Sequence, residues 1–239
     1  MESIAFLDWD NSLTDRFTLV PWLKHLGAKL QDAAFVDAAA LVERWIAVLR
    51  PALLAGTLPR DDYDRFAVDA EMVYCQVMDG RVAREVRQAA KSFSAEQPLL
   101  RDGAKDLVAR LVQLRWRPVV VSGAPIEVLR AYSRRLGILT RDIHAWELSS
   151  DGDRYVGRLA SGNTAREEVK WSLVEELRRG SHVELGLGDN HDADEPLWRY
   201  ASIRAQVHLE DHGVVSWSST SGALAPDRGT LRDLAAALR

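Results

Sequence analysis

Two aspartates one residue apart, Asp8 and Asp10, close the apolar run Ile4-Ala5-Phe6-Leu7 near the start of the chain. Carboxylates this close repel each other unless a cation, hydrogen bonds or water compensate them. A carboxylate can also attack phosphorus, splitting one hard displacement into two easier ones through an aspartyl-phosphate. Asp8 is the candidate for that attack. Asp10 is the candidate acid and base, protonating a departing alkoxide and later taking a proton from water. Ser122 and Gly123 follow a second apolar run, Val119-Val120-Val121, and Asp189 closes a third, "HVELGLGD". A hydroxyl and main-chain N–H groups at Ser122 and Gly123 suit the oxygens of a transferring phosphoryl group. Lys170 would neutralise phosphate and Asp8. Asp8, Asp189 and the main-chain carbonyl of Asp10 are hard oxygen donors of the kind Mg²⁺ takes. Alone, each feature reads as a helix cap, a turn or a solvated acidic loop; their joint occurrence, in order, favours chemistry.

These residues need elements that bring them together. A first strand that is nearly all apolar suits burial on both faces. From about Thr18 to Ser94 the pattern is helical. Leu19, Trp22, Leu23 and Leu26 share one helical face, and Leu41, Val42, Trp45, Ile46 and Leu49 share another. Pro51, Gly56 and Pro59 punctuate, Asp61-Asp62 are placed to cap a helix running through Met72 to Val77, and Gly80 separates it from a helix ending near Ser94. From Pro98 onward strands and helices alternate: a helix over 102–114, the strand "RPVVVSGAP", a helix over 126–136 and a short strand over 143–148. A hairpin turning at Asp151-Gly152, a helix over 164–179, the "HVELGLGD" strand, a helix led by Pro196, a strand over 203–207 and a helix over 231–238 complete the chain. This order predicts an α/β fold, a doubly wound, mostly parallel sheet with a Rossmann-like core, whose ligands lie at the carboxyl ends of the strands. The expected division is a core of residues 1–15 and 96–239 with an inserted all-helical cap of residues 16–95.

Composition narrows the partners. The chain has 239 residues, is 47% hydrophobic and carries a net charge of −4, which suits a globular protein and argues against a nucleic-acid surface. Only five of its 31 basic residues are Lys, so a Lys at a special position stands out. A single cysteine, Cys75, leaves no internal disulfide and no Cys-rich zinc site, which points to a reducing, cytoplasmic setting. No apolar segment is long enough to span a bilayer, and the early aspartates break any signal-peptide pattern. A small-molecule partner and a monomer or homodimer are expected.

The motifs resemble the haloacid dehalogenase-like superfamily, and within it the phosphoserine-phosphatase-like branch. "FLDWDNSLT" resembles its DxD motif, "VVVSGAP" its phosphate-binding Ser motif, Lys170 its third motif and "GLGDNHDADEP" its fourth; "DGDRYVGRL" matches the branch. The resemblance implies a Mg²⁺-dependent phosphatase acting on a small phosphomonoester, with the helical insert closing over the substrate. It makes Asp189 a metal ligand and Asp194 or Asp192 the second acid, Asp194 being preferred because Pro196 then falls where the family often has proline. Asp194 and Asn190 would support the metal site. Two departures stand out. Asn11-Ser12 replaces the usual Gly-Thr, and Asn tolerates the positive φ that Gly would supply. Phe17 stands where phosphoserine enzymes carry a Glu for the substrate ammonium, which disfavours phosphoserine and makes Phe17, with Trp22 and Tyr63, a candidate reader of the alcohol. A phosphotransferase or mutase would keep the same residues, and a catalytically silent phospho-ligand-binding module would have no use for Asp10; a dehalogenase would need neither Asp10 nor magnesium.

Overall fold

A computed structural model describes residues 1–55, 57–97, 99–190, 192–220 and 227–238, so Gly56, named above as punctuation, and Pro98, named as the start of the alternating pattern, lie outside the described residues. Strand β1 (Glu2–Leu7) is followed by a tight loop over 9–13 and then by four helices, α1 (Leu19–Leu30), α2 (Ala33–Leu54), α3 (Arg60–Met78) and α4 (Ala83–Glu96). Next come α5 (Ala104–Gln113), β2 (Trp116–Pro125), α6 (Ile126–Leu136), β3 (Ile143–Trp146), and a two-stranded hairpin of β4 (Leu148–Asp151) and β5 (Arg154–Leu159). The chain continues through α7 (Glu167–Leu177), β6 (Ser181–Gly188), α8 (Glu195–Trp198), β7 (Ile203–His208), β8 (Val214–Ser219), β9 (Asp227–Gly229) and α9 (Leu231–Ala237).

The main sheet has the order β3-β2-β1-β6-β7-β8-β9, parallel from β3 to β7 and antiparallel across β8 and β9. This is the expected α/β architecture with a helical insert after β1. Strand β1 is central, and its residues alternate between two apolar layers. Ile4 and Phe6 pack with Val119, Val121, Val174 and Leu197 on one side. Ala5 and Leu7 join Val120, Leu185 and Leu187 on the other. Burial on both faces is why the strand reads as an unbroken apolar run. The second layer does not stop at the sheet. Leu19, Leu23, Val42, Ala70 and Phe93, all on the inserted helices, belong to the same apolar cluster as Leu107, Leu129 and Leu187 of the sheet and its covering helices.

Several local expectations shift. Pro51 does not end a helix; α2 runs through it to Leu54. Pro51 lies in the exposed last turn, so the missing N–H leaves only the carbonyl of exposed Ala47 for water. Asp61 and Asp62 do not cap α3, which starts at Arg60 behind Pro59 with no side-chain cap; they sit in its first turn, where carboxylates suit the helix dipole. The hairpin turns at Gly152-Asp153, because Asp151 pairs with Arg154. The predicted strand over 143–148 divides into β3 in the main sheet and β4 in the hairpin. The helix expected over 164–179 is shorter, Glu167–Leu177, because Asn163 and Thr164 spend their side chains on other contacts. Strands β8 and β9 carry no expectation from the sequence.

Candidate active site

The two outer motifs sit on strands that pair directly. Asp8 extends β1, its N–H donating to the carbonyl of Leu187 on β6 at 2.9 Å. Asp189 follows the end of β6. On the other flank, β2 pairs with β3 through Val121↔His144 and then Pro125↔Trp146, so Ser122, Gly123 and Ala124 bulge out of the ladder. Ser122 and Gly123 therefore lie in the bulged end of β2, not in a turn after it, and the bulge re-aims the Ser122 side chain. Gly123 is required there: a Cβ on it would lie 2.4 Å from the Cβ of Ala165. Asp8, Asp10, Ser122, Gly123, Lys170, Asp189, Asn190 and Asp194 all line one cavity.

The charges in this cavity are arranged around Lys170, which is 2% exposed. Its Nζ lies 3.2 Å from Asp8 Oδ1 and 2.5 Å from Asp194 Oδ1. The other oxygen of Asp194 accepts from the N–H groups of Asp189 and Asn190 at 3.0 and 3.1 Å. Both Asp194 oxygens are thus engaged in holding Lys170 and the loop after β6. Gly188 leaves room for that carboxylate, since a Cβ on it would lie 2.5 Å from Asp194 Oδ2. Asp192, the alternative second acid, is exposed. Asn190 lines the cavity beside the carboxylates and turns its side-chain oxygen back to the N–H groups of Asp192 and Ala193, shaping the loop.

Asp10 is held separately. Its Oδ1 accepts from the N–H and hydroxyl of Thr18 at 2.9 and 2.5 Å. Trp9 Nε1 donates to the same Thr18 oxygen at 2.9 Å, which leaves the hydroxyl proton directed at Asp10. The loop carrying both acids turns at Asn11, which takes φ +60° as its replacement of Gly demands. Arg101 fixes the loop from outside, donating to the carbonyls of Asn11, Ser12 and Thr14 at 2.8, 3.3 and 3.3 Å.

Electrostatics show a site short of positive charge. Burial pushes the Asp8 carboxyl up to about 8; Lys170 pulls it back, while Asp194 and Asp10 push it further. Burial raises Asp10 to about 6 against the two hydrogen bonds from Thr18. Burial, then Asp194 and Asp8, hold Asp189 well above the usual carboxylate range. Burial works against the Lys170 ammonium, but Asp194 and Asp8 outweigh it and keep the group protonated. One cation therefore faces several buried acids. Carboxylate oxygens of Asp8, Asp189 and Asp194 lie within 4.8 Å of one another. An all-oxygen donor set of this kind, with excess negative charge, fits a small hard divalent ion. Because Asp194 is committed to Lys170 and the loop N–H groups, Asp8 and Asp189 are the carboxylates left to hold it.

The roof of the cavity comes from the insert. Phe17, Tyr63 and Phe66 line it, with the Phe17 and Phe66 rings edge to face at 5.9 Å between centroids. Trp22, expected among these, lies elsewhere: it is fully buried between His25 and Phe93, because its position on the apolar stripe of α1 turns it into the helical core. Thr18, Arg101 and the Asn163–Ala165 segment are contributors that the sequence did not single out. Their partners lie 8 to 96 residues away, and only the small residue pair Thr164-Ala165 against Ser122-Gly123 leaves even a compositional trace.

These features define an α/β enzyme with an acidic centre at the carboxyl ends of its strands, roofed by helices inserted after the first strand. The chain belongs to the haloacid dehalogenase-like hydrolases, whose family model matches residues 5–194. Its fold is shared with a protein of unknown function from Bordetella pertussis Tohama I, at TM-score 0.58 and 16% identity over 78% of this chain and 82% of that one. It is shared also with a phosphoserine phosphohydrolase-like protein from Francisella tularensis subsp. tularensis SCHU S4, at TM-score 0.54 and 20% identity over 85% and 86%. A substrate-bound phosphoserine phosphatase superposes with TM-score 0.56 and 15% identity over 89% and 90%. No curated protein matches the chain. Among the described residues, no helix is long and apolar enough to cross a membrane.

Proposed function

We propose that this hydrolase is a Mg²⁺-dependent phosphatase that cleaves small phosphomonoesters through an aspartyl-phosphate on Asp8. The observation that carries this reading is the division of labour between the two aspartates: Asp8 faces Lys170 across 3.2 Å, while Asp10 is tied to Thr18. In the first step an Asp8 oxygen bonds to phosphorus, the ester P–O bond breaks, and the proton held by Asp10 goes to the departing alkoxide. In the second step Asp10 takes a proton from water as its oxygen attacks phosphorus. The Asp8–phosphorus bond then breaks, releasing inorganic phosphate. Ser122 accepts a hydrogen bond from the N–H of Ala124 at 3.2 Å, which leaves its own proton for a phosphoryl oxygen. Lys170 offsets the charge of Asp8 and phosphate. Asp8, Asp189 and the Asp10 carbonyl would hold Mg²⁺, which when bound supplies positive charge to the phosphoryl oxygens and the acids.

Residues 16–95 act as the cap in this reading, and residues 1–15 and 96–239 as the base. The free volume of the inner cavity is only about 40 Å³, whereas a recess of about 710 Å³ lies outside it. Asn11, Phe17, Ile46 and Leu53 line both. The alcohol half of the substrate passes Phe17, Ile46 and Leu53, whose apolar side chains favour an uncharged group at that point. A cytoplasmic location accords with the lone, buried Cys75.

The test is phosphate release from a panel of phosphomonoesters, with and without Mg²⁺, by wild type and Phe17→Ala. Esters of uncharged alcohols should be preferred over phosphoserine. The Phe17→Ala change should alter kcat/KM by unequal factors across the panel, about 10-fold or more between extremes. A uniform fall with a lowered melting temperature would assign Phe17 to packing, and silence on every ester would remove the phosphatase reading.

A further inference from the structure

Helix α3 presents Tyr63, Ala67, Ala70 and Tyr74 at spacings of four, three and four, which places them on one face. That face is the one turned to the base, and polar contacts pin it at two points. Asn163 donates to the carbonyl of Ala67 at 3.0 Å and to Glu71 Oε2 at 2.8 Å. The same Asn163 accepts from Trp146 Nε1 and from the N–H of Ala165, the residue packed against Gly123. Further along α3, the Tyr74 hydroxyl donates to Glu127 at 3.1 Å, and Tyr155 of the hairpin donates to the other oxygen of Glu127 at 2.7 Å. The small side chains of Ala67 and Ala70 let the helix approach closely. Three turns before Tyr74, the remaining member of the stripe, Tyr63, extends into the cavity that holds Asp8, Ser122 and Lys170.

There its hydroxyl lies within electrostatic reach of Lys170, Asp194, Asp8 and Asp189. No group among the described residues hydrogen-bonds it, although Tyr74 and Tyr155, the other tyrosines on these cap-facing elements, both donate to a carboxylate. A phenol held at a charged site with its donor unspent is matched by an anionic oxygen. Burial and the surrounding acids keep it protonated, which suits a donor and not a nucleophile.

We propose that Tyr63 is a catalytic residue supplied by the cap, donating a hydrogen bond to an oxygen of the transferring phosphoryl group and so completing the set begun by Ser122 and Lys170. The inference rests on the phosphatase reading for its substrate, but it differs from a role in reading the alcohol. The phosphoryl group is common to every substrate, so loss of the donor must cost every substrate alike. Positioned donors of this kind strengthen their bond as charge develops on the phosphoryl oxygens.

The test is Tyr63→Phe, which keeps the ring and its packing. With Mg²⁺ present, kcat/KM should fall by about 10- to 100-fold, by the same factor across the ester panel, with an unchanged melting temperature. Binding of inorganic phosphate, measured by calorimetry, should weaken by about 10-fold. Unequal factors across the panel, or unchanged phosphate affinity, would overturn the proposal. If the wild type released no phosphate from any ester, the phosphatase reading would fall while the phosphate-binding comparison still decided Tyr63. Absence of phosphate binding by the wild type would overturn it too. Should Tyr63→Phe melt early, Tyr63→Trp, which keeps an aromatic ring with an N–H donor, should recover phosphate binding relative to Tyr63→Leu; equal binding by the two would overturn the assignment.

Discussion

Replacing Asp8 by Asn should abolish phosphate release while leaving the fold in place. The side chains are nearly the same shape, and the main-chain bond from residue 8 to Leu187 that anchors the loop is untouched. What disappears is the attacking oxygen, since a neutral amide is a poor nucleophile toward phosphorus. The expected loss is about four orders of magnitude or more in kcat. Stability should move the other way or not at all. The Asp8 carboxyl is raised to about 8 by burial, so its charged form is held at a cost that the amide avoids. Lys170 keeps its 2.5 Å contact with Asp194 in the variant. Phosphate release by the purified variant at saturating Mg²⁺, read beside its melting temperature, decides the point. Wild-type turnover would remove Asp8 from the role of nucleophile, and a collapsed melting temperature would show that the side chain holds the loop together.

Exhaustive chelation should silence the enzyme, and Mg²⁺ should restore it. With Asp8 and Asp189 both raised, the metal-free site binds protons where it should bind a cation. Ion and proton compete for the same oxygens, so Mg²⁺ affinity should rise as pH climbs toward about 8 and fall below neutrality. Binding should release protons, visible as a dependence of the calorimetric heat on buffer ionisation. Because the ion binds only the folded site, it should also stabilise the protein, by about 2.7 kcal/mol at a hundredfold excess over Kd. Full activity after treatment with EDTA would eliminate the proposed mechanism, and a melting temperature indifferent to Mg²⁺ would place the ion elsewhere.

Much of this site was legible because its acids stand at the ends of apolar runs. A run ending in Asp8, another leading into Ser122 and a third ending in Asp189 are local patterns, and a parallel sheet brings strand ends together whatever lies between them. Helix α6 was legible to the residue for the same reason, its apolar period being uninterrupted from Ile126 to Leu136. The partners of these groups were not. Nothing near Thr18 in the chain marks it as the hydrogen-bond donor to Asp10, and Arg101 meets the carbonyls of the acidic loop from about 90 residues away. Trp22 carries the same ambiguity in reverse: an aromatic residue on an amphipathic helix faces either a cleft or a core, and only the packing of α1 on α4 decides. Strand β8 was not legible, because its two buried residues, Val215 and Trp217, make too short an alternation to stand against their polar neighbours.

The apolar cluster that runs without a break from Phe93 and Leu23 in the insert to Leu129 and Leu187 in the base has a thermodynamic meaning. Two parts of a chain melt separately only when the surface between them contributes little to holding each one together. Here Trp9 rests on Tyr132 and Tyr132 on Phe93, so the acidic loop, a base helix and an insert helix share one set of contacts. Insert and base should accordingly unfold as a single cooperative unit, seen as one transition in a thermal melt. A cavity cut at Phe93 would loosen the strand that carries Asp8 as surely as one cut beneath it, and no excision of residues 16–95 would leave a base with its own complete interior.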